Sequence, residues 1–121
     1  MFNKVLPYGS IHIADQIVSL IASLSIVDID GVAGTVTDIK DEMIRVINKK
    51  GKQKGISIEK GEAEEISIEM RVALYYGYDL LETCKAIQRS VKTEIEAMTG
   101  IEVESVHVKV EQIKVKPQEV V

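Results

Sequence analysis

The chain has 121 residues, 45% of them hydrophobic and 28% charged, which is the balance of one folded domain rather than of a disordered segment. A formal net charge of −4 excludes the broad basic face of a nucleic-acid binder. The single cysteine, Cys84, excludes an internal disulfide and any cysteine-cluster metal site, and fits a reducing, cytoplasmic location. With no Trp, one Phe and four Tyr, the core must be built from Ile, Val, Leu and Met. The first sixteen residues lack the apolar segment of a signal peptide, and no apolar run approaches the roughly 18 residues that cross a bilayer. Direct membrane insertion is therefore not expected, and any membrane residence would come through a partner.

In chain order, residues 9–13 alternate small or polar with apolar and predict a short strand leading into a helix. Ile17, Leu20, Ile21 and Leu24 recur at helical spacing and predict the buried line of that helix, which ends near Val27. Gly31, Val32, Ala33 and Gly34 read as a turn into the next strand. Ile44 and Val46 then mark one strand and Ile56 and Ile58 another, separated by a hairpin loop over residues 48–52. The loop lysines Lys49, Lys50, Lys52 and Lys54 read as a solvated tip, with a site for phosphate or anionic headgroups as the alternative.

Ile66, Ile68, Met70, Val72 and Leu74 hold strict period two and predict a strand with one core face. Asp79 then opens a long helix as N-cap with Glu82 at the third helical position, and the line Leu80, Cys84, Ile87, Val91, Ile95 and Met98 predicts its buried side. Gly100 stops it. The last strand carries apolar residues in three phases: Ile101 and Val103, then Val106, Val108 and Val110, then Ile113 and Val115. Each change of phase predicts a bulge or bend, near Ser105 and near Gln112. The order is β-α-β-β-β-α-β, an α+β domain over residues 1–121 with a largely antiparallel or mixed sheet and two amphipathic helices on one face. Its ordered core is expected over about 8–115, with a tail at 116–121.

No constellation of residues carries catalysis or cofactor binding, so the expectation is no catalytic residue, no cofactor and no metal. Cys84 reads as a packed small hydrophobe, with a reactive thiol as the alternative. His107 alternates with Val106 and Val108 and points away from their face. Neither it nor His12 lies at metal-ligand spacing. Glu59, Glu62, Glu64 and Glu65 around Gly61 read as a solvated turn. Tyr75, Tyr76 and Tyr78 read as packing and strand-end hydrogen bonding, with a contact surface as the alternative.

Tyr8 to Ile13, Asp30 to Gly34, the strand ending Tyr76-Gly77, Gln88 within the second helix, and Met98 to Ile101 leading to Val106-His107-Val108 together resemble the alkaline shock protein family over about residues 8–115. No single one of these motifs is specific; their order and spacing are. The sequence departs from that pattern at His107 and in Asp28-Ile29-Asp30. The resemblance implies a cytoplasmic protein of the kind found in Gram-positive bacteria. Such proteins are linked to cell-envelope stress in some members and placed beside lipid metabolism in others, and no enzymatic activity is established for them. It also implies self-association and, for some members, retention at the membrane by a separate anchoring protein.

The expectation is thus a non-enzymatic scaffold or adaptor, a homo-oligomer that also binds a membrane-anchored protein. It uses strand edges and apolar surface left over by a final strand that changes face twice. The alternative is a regulator, or a protein associated with an enzyme, that binds a small ligand of lipid metabolism; it requires a pocket with converging polar groups.

Overall fold

The computed structural model describes residues 1–36 and 55–116. The expected strand at Ile44 and Val46, the hairpin over residues 48–52, the lysines at 49, 50, 52 and 54, and most of the expected tail lie outside the described residues. Among the described residues six strands and two helices run in the order β1 (Phe2–Leu6), β2 (Gly9–Ile13), α1 (Asp15–Leu24), β3 (Val32–Thr35), β4 (Ile56–Lys60), β5 (Ile66–Tyr75), α2 (Leu80–Thr99) and β6 (Val103–Lys114).

β5 is the spine. Its five apolar residues from Ile66 to Leu74 are fully buried, as their alternation predicts, and every other strand of the main sheet pairs with it. β6 runs parallel along one edge from Ile66 to Tyr75, while β4 and β3 share the other edge end to end, both antiparallel. The sheet is therefore mixed. The parallel pair follows from the helical crossover between β5 and β6, because a twenty-residue helix returns the chain to the end of the sheet where β5 began. Where β4 gives way to β3, Arg71 serves both: its N–H donates to the Gly55 carbonyl (2.7 Å) and its carbonyl accepts from Val36 N–H (2.8 Å).

Both helices cover the face of β5 that carries Ile66 to Leu74. α2 buries Ile87, Val91 and Ile95 as expected, but Leu80 and Met98 at its ends are exposed and Cys84 is half-buried. Asp79 Oδ1 accepts from Glu82 N–H (3.1 Å), and Gly100 closes the helix in the left-handed region at φ 73°.

α1 is rotated from the expected position. Of the line Ile17, Leu20, Ile21 and Leu24 only Ile21 is buried, alongside Val18 and Ala22. The helix docks on α2 through its next turn, where Ser90 Oγ donates to the Ser25 carbonyl (2.6 Å) and Ile26 is buried. That contact turns Ile17, Leu20 and Leu24 outward.

Three further features refine the expected string. β1 pairs antiparallel with β2 around a two-residue loop, Pro7-Tyr8, and plants Phe2 in the core. Lys60 locks the base of this hairpin: its ammonium pairs with Asp15 (3.0 Å), donates to the Met1 carbonyl (3.0 Å) and lies 4.2 Å over the Phe2 ring. β3 begins inside the expected turn, with a bulge between Val32 and Gly34, and Gly31 before it is held at φ 93° against Tyr78, whose Cγ would lie 2.8 Å from an added Cβ. The two phase changes of β6 are bulges at Glu104 and Glu111, which the pairing register with β5 skips.

Candidate functional site

Three surfaces remain after the core is assigned. The first is the sheet face turned away from the helices, where β5 and β6 present Ser67, Glu69 and Arg71 beside Ser105, His107 and Lys109. Lys109 pairs with Glu69 (2.8 Å) and Arg71 with Glu111 (2.8 Å). Lys109 beside Glu69 holds that carboxyl below its ordinary range, and Glu69 raises Lys109 in turn. His107 is exposed, as its alternation predicts, with Nε2 3.2 Å from Ser105 Oγ, and Ser105 donates to Ser67 Oγ (2.9 Å). The face is a neutralised lattice of charge rather than a site that concentrates one sign.

The second is a cleft of about 410 Å³ between the β1–β2 hairpin, the turn after β4 and the end of α2. Phe2, Ile11, Ile13, Met98 and Ile101 give it apolar walls, and Lys4, Glu64, Glu65 and Glu102 stand around it. The acidic turn around Gly61 thus walls a cleft on one side. Within the turn Glu65 Oε2 accepts from Ala63 N–H (3.1 Å). Nothing in the sequence brings these segments together, since they come from four separate stretches.

The third is the outer side of α1. Ile17, Leu20, Leu24 and Val27 form a row there, each between 38 and 62% exposed. Ile17, Leu20 and Leu24 belong to the line whose spacing predicted burial; with Val27 in the turn after the helix they form an apolar stripe left exposed among the described residues.

The remaining sequence candidates are dispersed. Cys84 is half-buried and burial pushes its thiol up, away from reactivity. His12 bonds Asn3 and Ser10 on the hairpin, far along the chain from His107, and among the described residues no cluster of His, Cys, Asp or Glu is arranged to hold a metal. Tyr78 packs on Gly31 and its hydroxyl accepts from Lys116 (3.0 Å), while Tyr76 is exposed. No helix among the described residues is long and apolar enough to cross a membrane.

An apolar helix stripe, an open cleft and a balanced sheet face are features of the whole domain, and the whole domain is what matches known proteins. Residues 4–115 match the alkaline shock protein 23 family, described as having a cell envelope-related function. The chain belongs to that family. Two relatives within it are the uncharacterized protein YloU of Bacillus subtilis, 28% identical over 89% of this chain and 91% of that protein, and the uncharacterized protein Spy1614 of Streptococcus pyogenes, 29% identical over 88% and 89%. A stress response regulator gls24 homolog of Streptococcus pyogenes is 25% identical over 91% of this chain and 62% of its own length. No solved structure matches the chain. Membership of this family agrees with the resemblance to the alkaline shock proteins read from the sequence.

Proposed function

We propose that this protein is a non-enzymatic, cytoplasmic scaffold or adaptor in cell-envelope stress or homeostasis, acting by self-association and by binding a membrane-anchored protein. The observation that carries this reading is the row Ile17, Leu20 and Leu24 on α1, continued by Val27 in the turn after it, exposed among the described residues. Three large apolar residues in line on a solvent-facing helix side, extended by one in the following turn, are what a helix presents to another protein. The envelope-related family description supports a place at the membrane, and the lack of any spanning helix among the described residues supports a borrowed one.

The test measures mass in solution across a range of concentrations and the share of the protein sedimenting with membranes. Mass should rise with concentration, and Leu20→Glu with Leu24→Glu should release the protein from membranes without unfolding it. Purified protein should not bind vesicles containing anionic lipid. A strict monomer that never sediments with membranes would overturn the reading, and tight vesicle binding would replace the protein anchor with lipid. The cleft beside Lys4 supports the second reading, a small ligand with an apolar body, and a thermal-shift screen of acyl compounds tests it.

A further inference from the structure

The outward edge of β6 changes character halfway along. The N–H and C=O of one strand residue point to the same side and alternate along the chain. Ile66 N–H donates to the Glu102 carbonyl (2.9 Å) and Tyr76 N–H to the Lys114 carbonyl (2.8 Å). With bulges at Glu104 and Glu111, the backbones of Ser105, His107, Lys109, Gln112 and Lys114 face β5, and those of Val106, Val108, Val110 and Ile113 face away.

α2 guards only the first part of this edge. Glu96 Oε2 accepts from Val103 N–H (3.0 Å), Lys92 Nζ donates to the Val103 carbonyl (2.8 Å), and Gln88 Nε2 donates to the Val106 carbonyl (3.0 Å). These three lie four residues apart on one line of the helix. The next position on that line is Cys84, which is packed against the core and offers the strand no hydrogen bond. Beyond Val106 no side chain takes up the outward backbone among the described residues, and cover fades at the same place: Val106 is buried, Val108 and Val110 are half-buried, and Ile113 is 46% exposed.

Proteins deter pairing at open edges with proline, charged side chains, bulges or cover, and of these devices this edge carries the bulge at Glu111 and two charges. The edge over residues 108–113 has no proline, and its two charges, Lys109 and Glu111, are opposite and sit on the same sheet face with Glu69 and Arg71. A copy turned about a two-fold axis at Val110 sets Lys109 of one chain opposite Glu111 of the other. The row Glu69, Lys109, Glu111, Arg71 then alternates in sign across the junction, twice.

We infer that the edge of β6 over residues 108–113 pairs antiparallel with the same edge of a second copy of this chain, joining the two sheets into one. This rests on the self-association proposed above and names its surface. The contact is isologous and closes at two copies.

The test uses the full chain. In a Cys84→Ser background, Val110→Cys should oxidise to a covalent dimer, because hydrogen-bonded antiparallel partners stand about 5.5 Å apart at Cα, within disulfide reach. Ser105→Cys, in the guarded half, should not. Lys109→Glu and Glu111→Lys should each fold with an unchanged circular dichroism spectrum yet raise the dimer dissociation constant about tenfold or more, since each sets like charges face to face. Mixing the two variants makes both contacts complementary and should restore the dimer. Wild-type protein that self-associates while Val110→Cys stays uncrosslinked and the charge variants behave as wild type would overturn the edge and leave self-association standing. A wild-type protein that is monomeric at every concentration would overturn both.

Discussion

Gln88 reaches out from α2 to donate its Nε2 hydrogen to the Val106 carbonyl 3.0 Å away, so that a helix side chain takes up a backbone carbonyl at the outward edge of β6. The same line of α2 supplies Lys92 and Glu96 to Val103, and one helix face both packs the core through Ile87, Val91 and Ile95 and satisfies the sheet edge beside it.

Replacing Gln88 by Ala should therefore cost about 0.5–1.5 kcal/mol, the net value of one hydrogen bond, and toward the lower end because water reaches the edge. Urea unfolding of the variant beside the wild type measures it. A loss of the same size in Lys85→Ala, whose ammonium only pairs with Glu82 at 3.4 Å on the exposed side, would show that the edge contact carries no special weight.

The Lys92 ammonium, and after it the Val103 N–H, hold the Glu96 carboxyl below its ordinary value of 4.5. A folded value below the unfolded one contributes stability above pH 4.5 that is lost as pH falls through the folded value. The start of β6 should loosen in that window. Amide exchange at Val103 should speed up below pH 4.5, beyond the change in intrinsic exchange, and Glu96→Gln should show the faster exchange already at pH 7.

Met70 has no exposed surface at the middle of β5, whereas its neighbour Glu69 is half exposed and pairs with Lys109. Met70→Asp should cost more than about 4 kcal/mol by burying an unpaired charge, and yield insoluble protein. Glu69→Lys should cost within about 1 kcal/mol, the value of an exposed ion pair. Equal melting temperatures for the two would mean that the faces of β5 are reversed.

Burial raises the Cys84 thiol above its ordinary value of 9.0, so the thiolate is scarce at neutral pH. Because the folded value is the higher one, the contribution to stability is intact below pH 9.0 and is lost as pH rises through the folded value. Iodoacetamide labelling should be slow at pH 7 and accelerate at a higher pH in folded than in urea-unfolded protein. Cys84→Ala should cost about 1–2 kcal/mol with binding intact, and a folded variant that has lost all binding would point to thiol chemistry instead.

The sequence by itself determined the features that repeat within one segment. The period-two run from Ile66 to Leu74, the cap at Asp79, the stop at Gly100 and the two bulges of β6 were all legible, because each is a local conflict or agreement between side-chain period and backbone geometry. Tertiary structure decided what depends on neighbours distant in sequence. α1 carries apolar residues around most of its circumference, from Ile17 and Val18 to Leu24, so its own pattern does not say which arc faces inward. The docking of Ser25 and Ile26 on α2 chose the arc of Val18, Ile21 and Ala22 and left the other as surface. β1 became a strand because β2 offered an edge, and the β1–β2 hairpin in turn helped to wall the cleft from four separate segments. The half-guarded edge of β6 was equally invisible, because Gln88 and Val106 are eighteen residues apart and become partners only when α2 folds back beside the strand.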